Sequence, residues 1–470
     1  MEFHPLTVSA GVSGGTGRTM EKTFSIFTLG CKLNQFESEC IRQSLIRRNW
    51  VFRRFEEGAQ FCIINSCTVT GRSDARCRNA VRRMRAISPG AFIVVTGCYA
   101  ETQPEALSAM AEINLVLGAD AKQSIAGILD EIAAGEGFRS SVPRSTVADS
   151  SCEIAEIECF LDHSRAFVKI QEGCSASCSY CIVPRARGPH RSLTLDTVLS
   201  QIRVLQEHGY HEVVLTGIHI GRYGVDLDPP LTLAALIEHI LASTDGLRLR
   251  LSSVEPTEVT PRLVALVAEE SRLAPHLHIP LQSGDDGILA AMNRPYRAMQ
   301  YRETIELLVR ARDDLAIGTD LIVGFPGETE ERFERTLALV RDLPITYFHV
   351  FTFSPRPGTA AASMADQVSP AVKKRRSSRL IELGTSKKRS FLKSQVGTEP
   401  IVLVERSSHR VSPFARCLTG NYCDVFVPHG AAPAGTLARV HITHLSRGNL
   451  YGMFIGRDAA GEAPRGESRT

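Results

Sequence analysis

Two things are scarce in this 470-residue chain: net charge of either sign and long apolar stretches. A formal net charge of +3 is too small for nucleic-acid binding to be argued from the total, so that argument must rest on local clusters. No apolar run approaches the roughly 20 residues that span a bilayer, and no apolar h-region reads as a secretory leader. The expectation is a cytoplasmic protein with no membrane partner. An internal repeat of solenoid period is also missing. Disulfide staples are not needed, because a chain of this length has enough apolar content for two or three domains with cores of their own. Its thirteen cysteines, in a reducing compartment, are then ligands or buried thiols.

Three of those cysteines stand close together. Cys174, Cys178 and Cys181 form a C-x3-C-x2-C triplet in a short loop that follows the apolar segment beginning at Phe167. Three thiolates at this spacing can hold three corners of a four-iron cluster and leave the fourth iron without a protein ligand. Complete ligation suits an electron carrier, whereas a vacant corner can bind a small molecule through its amino and carboxylate groups. A structural zinc site is the competing reading, and it needs a fourth Cys or His nearby. His190 is the nearest candidate, but it lies in a basic stretch, Arg185 to Arg191, better suited to anions.

Strand and helix patterns alternate from Thr23 to about Ile132, which reads as a small doubly wound α/β domain with a parallel sheet. Cys31, Cys67 and Cys98 each follow one of its first three strands, next to the small residues Gly30, Ser66 and Gly97. The carboxyl ends of parallel strands gather on one edge, so these thiols form a second expected trio. The competing reading is three small buried hydrophobes. From Ala166 to Phe353 six further strands alternate with helices, as in an open, three-quarter (β/α) barrel whose chemistry sits at the strands' carboxyl ends. The Cys174 loop follows the first of these strands. Thr216, Glu255, Gln282, Asp320 and Gly324 stand at the ends of later ones and outline a polar cofactor pocket. Turn chemistry alone also explains Gly324 and Gly327. Five short strands between Glu399 and Ile455 suggest a small β-barrel of the kind that binds single-stranded nucleic acid, with Phe414, Tyr422 and Phe426 as base-stacking candidates and a core position as the competing reading for Phe426.

Two helices concentrate positive charge. Arg72, Arg76, Arg78, Arg82, Arg83 and Arg85 crowd one; the other runs from Lys373 to Lys393, and both look nearly unopposed by acids. The organisation expected is therefore a disordered extension over 1–19 with Met20 a candidate start, an N-terminal domain over 20–135, and a linker over 136–161 containing the unpartnered Cys152 and Cys159. A barrel domain with its basic helix over 162–395, a small β-barrel over 396–457 and a disordered tail over 458–470 follow.

The segments Thr28-Leu-Gly-Cys-Lys-Leu-Asn-Gln, Asn65-Ser-Cys-Thr-Val-Thr, Val95-Thr-Gly-Cys-Tyr-Ala, the Cys174 triplet with Ile182-Val-Pro-Arg-Ala-Arg-Gly, His278-Ile-Pro-Leu-Gln-Ser-Gly and Asp320-Leu-Ile-Val-Gly-Phe-Pro-Gly-Glu-Thr occur in that order. Together they resemble the methylthiotransferases of the radical S-adenosylmethionine (SAM) superfamily over nearly all of Thr23 to Ile455, and the C-terminal barrel resembles that family's TRAM RNA-binding domain. Within the family, the sequences around Cys31, Leu251 and Phe353 are most similar to the branch acting on threonylcarbamoyladenosine beside the tRNA anticodon.

The resemblance implies two 4Fe-4S clusters, one on Cys174, Cys178 and Cys181 and an auxiliary one on Cys31, Cys67 and Cys98. It implies SAM bound by the backbone at Tyr180 and by residues around Thr216, Glu255, Gln282, Asp320 and Gly324. It also implies a tRNA anticodon stem-loop as substrate, a one-electron donor such as a flavodoxin or ferredoxin, and a sulfur source the sequence does not name. Alternatives are methylthiolation of isopentenyladenosine or of a ribosomal-protein aspartate, and a non-enzymatic iron-sulfur RNA-binding regulator.

Overall fold

The computed structural model describes residues 21–135, 157–161, 163–406, 413–430 and 432–457. The expected extension with its candidate start, Cys152, most of the expected linker and the expected tail lie outside the described residues. Of the described residues, one compact unit takes in 21–30, 37–67 and 72–135, and a second takes in 31–36, 68–71 and everything from 157 onward.

The first unit is built on β1 (Thr23–Thr28), α1 (Lys32–Arg47), β2 (Val51–Phe52), β3 (Phe61–Ser66), α2 (Gly71–Ile87), β4 (Phe92–Gly97), α3 (Cys98–Thr102), α4 (Pro104–Ser108), β5 (Leu115–Val116) and α5 (Ile125–Ala133). Its five parallel strands run in the order β2-β1-β3-β4-β5, as expected for a doubly wound sheet, with the two-residue edge strand β2 as an addition. Ile63, Ile64, Val94 and Val95 on the central strands are inaccessible to solvent, because helices cover both faces of such a sheet. Two cores result: one holds Cys62, Cys77 and Met84, the other Phe24, Trp50 and Leu129.

In the second unit the chain forms β6 (Ala166–Lys169), β7 (Gln171–Glu172), α6 (Val183–Arg187), β8 (Arg191–Ser192), α7 (Leu195–Glu207), β9 (Glu212–Thr216), α8 (Leu233–Ser243), β10 (Arg248–Leu251), α9 (Pro261–Glu269), β11 (His276–His278), α10 (Asp286–Ala291), α11 (Ala298–Ala311), β12 (Ala316–Val323), α12 (Glu330–Asp342) and β13 (Tyr347–Thr352). Sheets β10-β9-β6 and β11-β12-β13 are joined by parallel bridges from Leu249 to Leu273 and from Ser253 to His278, which completes the expected six-strand partial barrel. Its helices start where the sequence supplies caps: Thr194, Thr232, Thr260 and Thr329 each accept a backbone N–H from the first turn. The expected first strand, Phe167 to Gln171, is divided, and Gln171–Glu172 turns away to pair antiparallel with β8. The short helix α10 was not expected.

Helix α13 (Pro370–Ser394) then leads into β14 (Ile401–Val404), β15 (Phe414–Thr419), β16 (Asp424–Pro428), β17 (Leu437–Ser446) and β18 (Asn449–Arg457). These close into a barrel of order β14-β15-β16-β18-β17, sealed by β17 on β14. Val425 and Val427 fill its core while Phe426 between them is only half-buried, so Phe426 faces outward. The core reading of Phe426 is thereby overturned.

The basic helix needs a second correction. Arg375, Arg376 and Arg379 pair with Glu330, Arg376 also with Glu328 and Arg379 with Glu334, all on or just before α12. Lys387 donates to the carbonyls of Arg341 and Leu343. Much of the charge that looked unopposed thus fastens α13 to its neighbour, while Lys374, Lys388, Arg389 and Lys393 stay exposed.

Candidate active site

The Cys174 loop leaves the carboxyl end of the first barrel strand and is held by backbone bonds at both ends. Cys174 N–H donates to Gly188 O (3.0 Å), Ser179 N–H to Met292 O (3.0 Å) and Ala361 N–H to Ser179 O (2.8 Å). Gly173 enters the loop at φ +68°, and a Cβ there would lie 1.8 Å from Pro189 O, so only glycine fits.

Two of the three thiols face a cation that is itself held by a carboxylate. Cys174 Sγ lies 3.6 Å from His219 Nδ1, and His219 Nε2 lies 2.6 Å from Glu258. Arg294 donates to Cys178 Sγ at 3.3 Å and is paired with Glu255. Burial opposes charge on His219, but its contacts with Cys174 and Glu258 outweigh this and raise its pKa to about 10. Burial likewise raises the Cys174 thiol, yet the bonds from His219 and the Ala176 N–H prevail and lower it. Cys181, half-buried and beside the other two sulfurs, is pushed up to about 12 by desolvation. Burial also raises the Glu255 carboxyl, although Arg294 opposes this. Three soft sulfur donors at one loop, with positive charge aimed at two of them, fit an iron-sulfur cluster with an open iron.

Beside the loop lies a cavity of about 170 Å³ whose lining includes Tyr180, Cys181, Gln282, Asp320, Phe351 and Phe353. Gln282 has a left-handed backbone (φ +65°), and Asp320 accepts from His278 (3.0 Å) and His349 (3.1 Å) on the strands to either side. Burial would raise the Asp320 carboxyl, but the two imidazoles hold it well below the usual range. The ring of Tyr180 packs against the cluster of Ile288, Met292, Phe325 and Phe353. Of the residues expected at this mouth, Tyr180, Gln282 and Asp320 meet at the cavity and Glu255 reaches the thiol loop through Arg294. Thr216 and Gly324 do not line the cavity. The Thr216 carbonyl accepts from Ile170, and Gly324 sits at φ +71° with its N–H bonded to Glu328, which supports the turn reading for it. His219, Glu258, Arg294 and His349 escaped sequence reasoning. The one available signal was His219, three residues past the end of β9.

Cys67 and Cys98 follow directly on the neighbouring strands β3 and β4, whose last residues Ser66 and Gly97 are register partners. Cys31 comes three residues after β1, the strand that pairs with β3 on the side away from β4. Cys31 is exposed, and Cys67 and Cys98 are 8% and 9% accessible. Cys62 and Cys77, by contrast, are core thiols that burial pushes up to about 12. Cys159 is exposed, and no described cysteine is in a disulfide. Within the second unit, Arg187 pairs with Glu172 (3.0 Å) and donates to Asn34, three residues beyond Cys31.

Residues 168–340 match the radical SAM superfamily, and residues 23–118 match a family described as uncharacterized protein family UPF0004. A radical SAM methyltransferase from Kitasatospora setae shares the fold, with a TM-score of 0.53 at 14% identity over 73% of this chain and 75% of that one. The partial barrel with its three-cysteine loop defines a radical SAM enzyme. Threonylcarbamoyladenosine tRNA methylthiotransferases of Aquifex aeolicus (35% identical, 88% of this chain and 98% of the relative) and Bacillus subtilis (34%, 92% and 96%) are similar over nearly their whole length. So is a tRNA-2-methylthio-N(6)-dimethylallyladenosine synthase of Aeromonas salmonicida (32%, 93% and 92%). The chain belongs to the radical SAM tRNA methylthiotransferases, enzymes that use SAM and 4Fe-4S clusters. No helix among the described residues is long and apolar enough to cross a membrane.

Proposed function

We propose that the enzyme methylthiolates carbon 2 of N6-threonylcarbamoyladenosine next to the tRNA anticodon, giving the 2-methylthio derivative. The observation that carries this reading is the cysteine loop opening onto a cavity at the carboxyl ends of the barrel strands, in a chain whose threonylcarbamoyladenosine-specific relatives align almost end to end. The target C–H bond is beyond any amino-acid acid or base; a reduced cluster held by Cys174, Cys178 and Cys181 would supply, with SAM, the radical chemistry able to break it.

The chain's own residues hold and orient. Cys174, Cys178 and Cys181 bind the SAM cluster, with His219 and Arg294 balancing thiolate charge. Cys31, Cys67 and Cys98, leaving one edge of three adjacent strands, bind an auxiliary cluster. Tyr180 (through its backbone), Gln282 and Asp320 face SAM in the cavity, with Glu255 steadying the thiol loop through Arg294. The buried Phe353 ring gives the cavity an apolar wall that helps exclude water from the reacting atoms. An anticodon-loop base is already single-stranded, so presenting it costs less than extruding one from a duplex.

The domain assignment is a cluster-binding domain over 20–135, a linker over 136–161, the radical SAM domain over 162–395 and a TRAM domain over 396–457. The natural setting is the cytoplasm, with a flavodoxin or ferredoxin as one-electron donor. Isopentenyladenosine is the second reading, favoured by relatives of the dimethylallyladenosine class. Nucleoside analysis of tRNA from a deletion strain decides: loss of 2-methylthio-N6-threonylcarbamoyladenosine is expected. Its persistence, with loss of the isopentenyl counterpart or of neither, removes the proposal.

A further inference from the structure

The tip of the β15–β16 turn carries Tyr422 at φ +68° and places its ring against the partial barrel, stacked on His276 at 4.6 Å. Three cations surround that ring: Arg250 at 5.0 Å, Arg165 at 5.7 Å and Lys32 at 5.9 Å from its centroid, all within the second unit. Arg248 stands beside Arg250, and both bond to Glu212. Arg165 pairs with Glu405. Four cations thus face two carboxylates, and among the described residues Lys32 has no carboxylate within ion-pair distance. Two polar nitrogens nearby are also unspent. Arg165 Nη1 and His276 Nδ1 are buried without a hydrogen-bond partner, and His276 is only 3% exposed. Its other ring nitrogen already meets the Tyr347 hydroxyl at 2.9 Å.

Cations this enclosed are unfavourable until an anion joins them, and guanidinium groups match the oxygens of carboxylate and phosphate alike. We propose that Lys32 and Arg165, set around Tyr422 with Arg250 adding positive charge behind it, bind an oxyanion of the RNA substrate. Under the functional reading above, on which this rests, that oxyanion is the threonyl carboxylate of the modified base or an adjacent backbone phosphate. Lys32 follows Cys31 directly, so the anion is gripped next to a proposed ligand of the auxiliary cluster.

The test uses full-length protein with reconstituted clusters and anticodon stem-loops carrying threonylcarbamoyladenosine as the free acid or as its methyl ester. Lys32→Gln and Arg165→Gln are each expected to weaken free-acid binding by about 10- to 100-fold. If the ester binds wild type as weakly as the variants bind the acid, and the variants weaken it no further, the carboxylate is the ligand. Equal weakening of both RNAs, with a shallower salt dependence, identifies a phosphate. Unchanged affinities in both variants, with iron content intact, overturn the site. Arg165 adjoins no cysteine ligand, the nearest being Cys174 nine residues on, so its variant with iron content measured keeps the test decisive if Lys32→Gln disturbs a cluster. Failure of the functional reading appears separately, as no methylthiolation of the free-acid stem-loop by wild type.

Discussion

At the scale of single residues, Glu212 has a heavy electrostatic task outside the cysteine loops. It is fully buried between Arg248 and Arg250, whose remaining donors reach the carbonyls of Ile401, Leu418, Thr419 and Gly420. Burial alone would raise its carboxyl, but the two guanidiniums prevail and hold it at about 2, below the ordinary 4.5. Its contribution to stability is therefore complete above pH 4.5 and is lost as pH falls from there through 2. Glu212→Gln should cost about 3–5 kcal/mol in urea unfolding at neutral pH, because it leaves buried arginine charge uncompensated. The same substitution should flatten the stability curve below pH 4.5. Cys174→Ala and Cys98→Ala should each lose about half of the bound iron and sulfide and keep the rest, since each removes one ligand from a different trio. The cysteine ligands were legible because their spacing is local or tied to strand ends. His219 and Arg294 were not, because nothing near them in sequence announces a partner 45 or 116 residues away.

At the scale of elements, the six strands expected between Ala166 and Phe353 and the five expected from Glu399 on are all present. What escaped was tertiary. The split after Lys169 exists because Gln171 turns to receive the N–H groups of Ile218 and His219, and its amide donates to the Gly173 carbonyl. Gly173→Ala should disrupt this corner, and the expected result is loss of the SAM cluster's iron with the auxiliary iron retained. Helix α13 misled for the opposite reason: its arginines looked unopposed because the acids that neutralise them lie on α12. Only its exposed cations remain for RNA. Replacing Lys374, Lys388 and Lys393 with alanine should lower the slope of log affinity against log salt by roughly 0.7–0.9 for each RNA phosphate that is no longer neutralised.

For the whole molecule, the fold class followed from strand–helix alternation and then from a change of period near Glu399, and the observed sheets agree. The C-terminal barrel kept its five strands, but its aromatics sorted in a way composition does not reveal. Tyr422 turns inward to His276, whereas Phe414, Phe426 and His444 gather around Tyr451 at centroid separations of 5.1–5.8 Å. Tyr451→Ala should weaken tRNA binding by about 1–3 kcal/mol, the worth of one stacked base, while leaving SAM cleavage by the reduced protein unchanged. Because β17 pairs back onto β14, this module offers no bare hydrogen-bonding rim to which a visiting peptide could attach as a sixth strand. Whatever it grips must be recognised by side chains alone, so its preferences can drift by point substitution with the backbone ring untouched.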